Sequence, residues 1–466
     1  MDAYGWAHEQ FWGATLPDIR LRRRLVETAS CIRTNPCGTL PRAIQDAMAL
    51  KGAYRLFRHS KVTHQRILEP HVTCTRAACR EAGEYLLIED TTSLSFTQRG
   101  EVAGMGPLTN EGSQGLLAHT CLAARIEQWS AQEEPEVTLT GVFGQECWAR
   151  EKPQGTRAER KKTKRKKAEA SGPCESERWG RAIFQAPRPP ADARWTLLAD
   201  RECDIFDVLV RCFGHGVDWV VRVAHPRKTA QSEASVFETA ALAPLLGGFT
   251  LPLRARPGVA ARQAHLEVRA VATVLRPPCD RPAEAPLPSG LVEVREPHPP
   301  EGMTPVHWLL FTSWPCATYA QARRVVGAYA CRWLIEEYHK ALKTGTGIED
   351  SQLSTESRIE ALLAIHTVVA ADLLQLKLLA RTRPDEGIDE HLLPPEALTI
   401  LEARGGRPSS GWTNATLLIA IARMGGYLAR KHDGPPGWLS IWHGMIRLML
   451  MTDGYLLAIR RETYGQ

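Results

Sequence analysis

Two short runs, "YLLIED" (Tyr85 to Asp90) and "WTLLAD" (Trp195 to Asp200), constrain the fold of this chain more than any other feature. Each is apolar without alternation and each ends in an aspartate. A strand that shows apolar side chains on both sides needs cover on both, so the runs predict a sheet buried between layers of helix. "RECDIFDVLVRCF", directly after the second run, reads as one of those helices. Further strands are expected at "LLAHTCLAARI", "VTLTGVFGQECW", "VDWVVRVA", "HLEVRAVATVL" and "VHWLLFTS". The fold class is therefore α/β.

Helical segments flank this region. "DIRLRRRLVETASCIR" sets Arg20, Arg22, Arg23 and Arg24 around an apolar stripe of Leu21, Leu25 and Ala29, and residues 1–75 read as a small basic helical unit. Residues 76–350 form the α/β domain, with a Pro- and Ala-rich β insertion at about 227–313, and residues 351–466 read as helical again. Lys plus Arg outnumber Asp plus Glu by 58 to 52, a mildly basic balance compatible with nucleic acid but not selective for it. The densest basic run, Arg157 to Lys167, reads as a solvated loop. The twelve cysteines include no C-x-x-C pair and are read as reduced thiols. The N-terminus has no basic start followed by an apolar core, and no apolar run approaches spanning length. A cytoplasmic protein without membrane insertion is expected. His339 and His443 are solitary on their helices and read as structural residues.

Asp90 and Asp200 fall at the carboxyl ends of their strands, where open α/β sheets place ligands. An aspartate there is also an ordinary turn residue or helix cap. A third acid lies in "YACRWLIEEYHKALKTG" (Tyr329 to Gly345). Read as one helix, it puts Tyr329, Arg332, Glu336, Lys340 and Lys343 within an arc of roughly 80°, opposite Leu334, Ile335, Tyr338, Ala341 and Leu342. The plain account is a core helix with an i,i+4 pair between Glu336 and Lys340. The functional account is one carboxylate flanked by cations, which suits a phosphodiester backbone beside a metal ion. Three carboxylates from two strand ends and a helix would suit Mg²⁺, a hard cation that takes carboxylate oxygens, water and phosphate.

"IEDTTSLSF", "DRECDIFDVL", "VVRVAHPRK" and "YACRWLIEEYHKALKTG" resemble, in order and spacing, the signatures of the bacterial cut-and-paste DDE transposases of insertion sequences. In these the third acid lies in a Tyr-x-x-Arg-x-x-x-Glu-x-x-x-x-x-x-Lys motif, which Tyr329, Arg332, Glu336 and Lys343 satisfy. "YRLFRHSKVTHQRILEPH" and "IARMGGYLARKHDG" extend the resemblance over most of the chain.

The resemblance implies a ribonuclease-H-like core between an N-terminal DNA-binding domain and a C-terminal dimerisation domain. It also implies two Mg²⁺ ions, replaceable by Mn²⁺, held by Asp90, Asp200 and Glu336. Tyr329, Arg332 and Lys343 would clamp phosphates, with Lys340 a further contact. Arg222, Arg227 and Lys228 would meet DNA near the cut, and Trp308 would receive an unstacked base during hairpin formation. The implied partners are double-stranded DNA ends bearing terminal inverted repeats, target DNA, and a second copy of the chain, all at the bacterial nucleoid. Two other readings stay open: a structure-selective metal-dependent nuclease on the same core, and a non-catalytic DNA-binding regulator of transposition.

Overall fold

A computed structural model describes residues 3–36, 38–97, 100–108, 112–151, 175–253, 260–279, 283–388, 393–431 and 433–464; the basic run 157–167 lies outside them. The strands are β1 (Gly83–Ser95), β2 (Gly106–Pro107), β3 (Gln114–Trp129), β4 (Pro135–Trp148) and β5 (Ala193–Ala199). They continue with β6 (Asp218–Arg222), β7 (Leu245–Leu253), β8 (Arg262–Leu275), β9 (Leu287–Arg295) and β10 (His307–Thr312). All belong to one sheet in the order β2, β3, β1, β5, β6, β10, β9, β8, β7, with β4 also paired to β3. β1, β5 and β6 run parallel, while the strands on either side are antiparallel. The β-rich insertion is thus not a sheet of its own: β10 pairs with β6, and β9, β8 and β7 prolong the same sheet outward.

Side chains alternate across each strand, so one strand feeds two cores. Leu86 and Ile88 of β1, Leu198 of β5, Val220 of β6 and Leu310 of β10 enter one apolar cluster. Tyr85, Leu87, Leu197, Val221 and Phe311 enter the other. The first cluster also holds residues from the N-terminal helices, such as Phe11, Leu25 and Leu56, and from the C-terminal ones, such as Leu362, Ile421 and Ile441. Both flanking helical regions therefore cover the same face as the motif residues Leu334, Ile335 and Tyr338.

The helices start where the sequence supplies caps. Asp18 accepts the Arg20 N–H to open Ile19–Thr34, whose Leu21, Leu25 and Ala29 are buried as expected. Near the other end, Gly425 and Gly444 let Asn414–Met424 and Trp438–Tyr464 cross at backbone contact. A Cβ at these positions would stand 1.8 Å and 1.7 Å from the carbonyl oxygens of Ser440 and Ile421. Glu356–Thr382 corrects the expectation that no apolar run reaches spanning length. By length and composition this helix could cross a membrane, but it is largely enclosed by the rest of the fold. Its burial arises because it packs against N-terminal helices, β4 and the C-terminal helices at once.

The Tyr329–Gly345 stretch is not one regular helix. Tyr319–Ala330, opened by a capping box between Thr318 and Gln321, ends at a junction, and a second helix runs over Trp333–Lys340. At the junction Cys331, Arg332, Leu334 and Ile335 each donate a backbone N–H to the carbonyl three residues back. This tighter winding brings i and i+3 into line, which sets Arg332 over Tyr329. Ala341–Gly345 then widens into a π turn, closed by the Thr346 N–H on the Ala341 carbonyl at 2.8 Å. Three local windings replace the uniform 100° step, so the five-residue stripe does not run straight.

Candidate active site

The parallel register of β1 and β5 places the first two acids. Ile88 lies opposite Leu198. Asp90 follows two residues later on the same face of β1, but inside the strand rather than at its carboxyl end as expected, because β1 stays paired with β3 as far as Ser95. Asp200 comes directly after β5, which ends at Ala199, and lies near enough for its charge to act on Asp90. The cap reading of Asp200 holds: its Oδ1 caps the one-turn helix Arg201–Cys203 by accepting the Glu202 N–H at 2.8 Å. Asp90 accepts the N–H of Thr91 at 2.8 Å through Oδ1. Burial pushes the Asp90 acid up to about 6, and the charges of Asp200 and Glu202 add to the rise. The Thr91 N–H and Arg332 work in the opposite direction without cancelling it.

Glu336 approaches from the facing helix. Its carboxylate is bonded to Arg332, whose Nη1 stands 3.8 Å from Asp90 Oδ2. An i,i+4 ion pair on a half-exposed helix surface contributes only a few tenths of a kcal/mol. Stability therefore does not account for the arrangement; its effect is that one guanidinium is shared by two acids. Among the described residues no group of three His, Cys, Asp or Glu is gathered tightly enough to hold a metal ion. The donor set nevertheless fits a divalent cation. It consists of carboxylate oxygens, the ligands hard cations take. Asp90 is also partly buried near the charge of a second carboxylate, a condition a cation relieves.

A cluster of cations borders the acids. Tyr329 is buried, with Arg222 and Arg332 both against it. Arg222 donates Nη2 to the His307 carbonyl at 2.9 Å, while its buried Nε has no partner. Burial holds its guanidinium below the usual range, and the nearby charge of Arg201 adds to the effect. Arg201 was not singled out in the sequence reading, although it directly follows an acid inside the quoted run "DRECDIFDVL". Trp308 meets Tyr329 edge-on, with ring centroids 5.8 Å apart, and is partly buried beneath it.

The remaining expected residues are placed differently. Lys340 bonds Glu337 at 2.9 Å, so the Glu336–Lys340 pair is replaced by Glu336–Arg332 and Lys340–Glu337. Lys343 lies in the π turn, where its charge, after burial, helps hold the His339 imidazole down at about 3. Arg227 is turned inward: its Nε donates to Asp204 at 2.9 Å, a wholly buried carboxylate that also accepts the N–H groups of Ala224 and His225. A buried carboxylate requires such partners, so Arg227 serves the fold. Lys228 pairs with Glu233 at 2.6 Å on the surface.

Residues 3–62 match the family model described as transposase DNA-binding, and residues 189–371 match the transposase DDE domain. Two stretches of the chain are thus similar to a transposase DNA-binding region and to a transposase DDE domain. Together the two matches support a DNA transposase, and DDE domains of this kind generally use divalent metal ions. Asp200 and Glu336 fall inside the second match; Asp90 precedes it and joins the site through the pairing of β1 with β5.

Proposed function

We propose that this protein is a DNA transposase of a bacterial insertion sequence, working at the nucleoid on terminal inverted repeats as a homodimer. It frees a 3′-hydroxyl at the element end and turns that hydroxyl on the opposite strand to form a hairpin. It then reopens the hairpin and joins the end to target DNA. Asp90, Asp200 and Glu336 would hold Mg²⁺ or Mn²⁺. Bound there, the ions would activate a hydroxyl or water and stabilise the departing oxygen.

The protein's own groups serve orientation. Arg332, Arg222 and Arg201 line the approach to the acids and would hold phosphates, with Lys343 and Lys340 further along the same segment. Trp308 would give an unstacked base a flat surface. The observation that carries the reading is that Asp90 lies within reach of the charge of Asp200 and shares the Arg332 guanidinium with Glu336.

The test is incubation with Mg²⁺ and end-labelled duplex carrying the element terminus, resolved on a denaturing gel. A hairpin product followed by joining to a second duplex is expected. Nicking alone would favour the nuclease, and binding without cleavage the regulator.

A further inference from the structure

The Trp333–Lys340 helix carries two adjacent glutamates in opposite surroundings. Glu336 is half exposed beside the site, whereas the Glu337 side chain is largely buried. Both oxygens of Glu337 are engaged. Oε1 accepts Lys340 Nζ at 2.9 Å, and Oε2 accepts Lys377 Nζ at 2.6 Å and Trp438 Nε1 at 2.8 Å. Lys377 belongs to Glu356–Thr382, and Trp438 begins the Trp438–Tyr464 helix. The Lys377 ammonium also lies 4.3 Å from the centre of the Trp438 ring. Three helices thus close around one carboxylate. Burial by itself raises that acid, but Lys377, Lys340 and the indole outweigh it and hold it down at about 2.

The helix bearing Glu336 is only eight residues long and lies between a tightened junction and a π turn. Its facing is set by what packs on it: Leu334, Ile335 and Tyr338 are buried in the core, and Glu337 is held by Lys377 and Trp438 on another side. Fixing Glu337 fixes Glu336, because adjacent residues on a helix differ by about 100°.

We propose that Glu337 is a positioning residue for Glu336, added to the core packing of the same helix, and that through Trp438 the C-terminal helix forms part of the support of the acid site. The proposal rests on the transposase reading for its consequence, but its structural core does not need that reading.

The test uses the full chain as wild type, Glu337→Ala, Glu337→Gln and Trp438→Phe, with Glu336→Ala as the site control. Circular dichroism establishes folding. Hydrogen exchange of residues 333–345 is followed together with Mn²⁺ binding by electron paramagnetic resonance and the Mn²⁺ concentration for half-maximal cleavage. Glu337→Ala and Trp438→Phe are expected to speed exchange in 333–345 but not in 83–95, and to raise the Mn²⁺ requirement by about tenfold, as loss of a supporting contact behind a ligand does. Duplex binding stays unchanged, and Glu337→Gln, which keeps an acceptor for Trp438, falls between. Folded variants with wild-type exchange or wild-type Mn²⁺ affinity would overturn the proposal. Should Glu337→Ala not fold, Trp438→Phe, which loses one N–H and keeps a ring, decides. A wild-type protein that binds Mn²⁺ but never cuts DNA would defeat the transposase reading, with exchange and Mn²⁺ binding still judging Glu337.

Discussion

The Nη1 of Arg332 lies 3.8 Å from the Oδ2 of Asp90, and the same guanidinium is bonded to Glu336. A fixed positive charge this close to a cation site opposes a second cation. Arg332→Ala is therefore expected to strengthen Mn²⁺ binding by DNA-free protein by roughly tenfold, given effective screening near a surface. Cleavage should fall in the same variant, because a phosphate contact is lost. Mn²⁺ titration with and without duplex separates the two effects.

The Asp90 acid, raised to about 6 by burial with help from Asp200 and Glu202 and opposed by Arg332, gives a defined pH dependence. Divalent-ion binding needs the carboxylate, so it should weaken as pH falls through 6 and level off above about 7. The sign for stability is reversed. In the metal-free protein the folded state holds this proton more tightly than the unfolded chain, so Asp90's contribution declines as pH rises from about 4 to about 6. Mn²⁺ binding measured from about pH 5 to 8 and melting from about pH 4 to 8 check both limbs.

Glu336→Gln keeps the size and hydrogen-bonding capacity of the side chain but removes its charge. Cleavage is expected to drop to background while duplex ends are still retained in a gel shift. Surviving cleavage would remove Glu336 from the site.

Asp204 and Arg227 separate folding from DNA contact. Asp204→Ala strips a wholly buried acceptor from Arg227 and two backbone N–H groups, and should cost about 3–5 kcal/mol in denaturant unfolding. Arg227→Ala is expected to lower stability with little change in duplex affinity. Arg222→Ala, beside Tyr329, should lower affinity instead.

His366 is fully buried with neither ring nitrogen hydrogen-bonded, and burial holds its imidazole down at about 3. Its surroundings are the apolar residues of Glu356–Thr382 and their neighbours. His366→Leu removes two unsatisfied polar atoms and is expected to stabilise by about 1 kcal/mol, raising the melting temperature by roughly 1–2 °C.

Much of the sheet was legible. β1 and β5 announce themselves as unbroken apolar runs, but only Asp200 comes where its strand stops; Asp90 lies within β1, whose pairing with β3 continues through the polar residues after it to Ser95. β7 and β9 were missed because Gly247, Gly248 and Pro252 interrupt the first, while Pro288 and Gly290 interrupt the second. The third acid was legible from motif spacing, but its helix was not. Periodicity assumes one winding, and the junction at Arg332 and the π turn at Ala341–Gly345 supply two others. The Glu337–Trp438 bond spans 101 residues and is a single polar contact, which leaves no periodic trace in sequence.

The apolar cluster shared by Phe11, Leu25, Ile88, Leu198, Leu334, Ile335 and Ile441 makes the helices of the DNA-binding region and the sheet that carries the acids one folding unit. A shortened product lacking that region would bare apolar surface on Glu356–Thr382, against which Ile19–Thr34 and Ala47–Arg58 pack. Such a short form would be cleared or aggregate rather than persist as a DNA-blind competitor of the full protein.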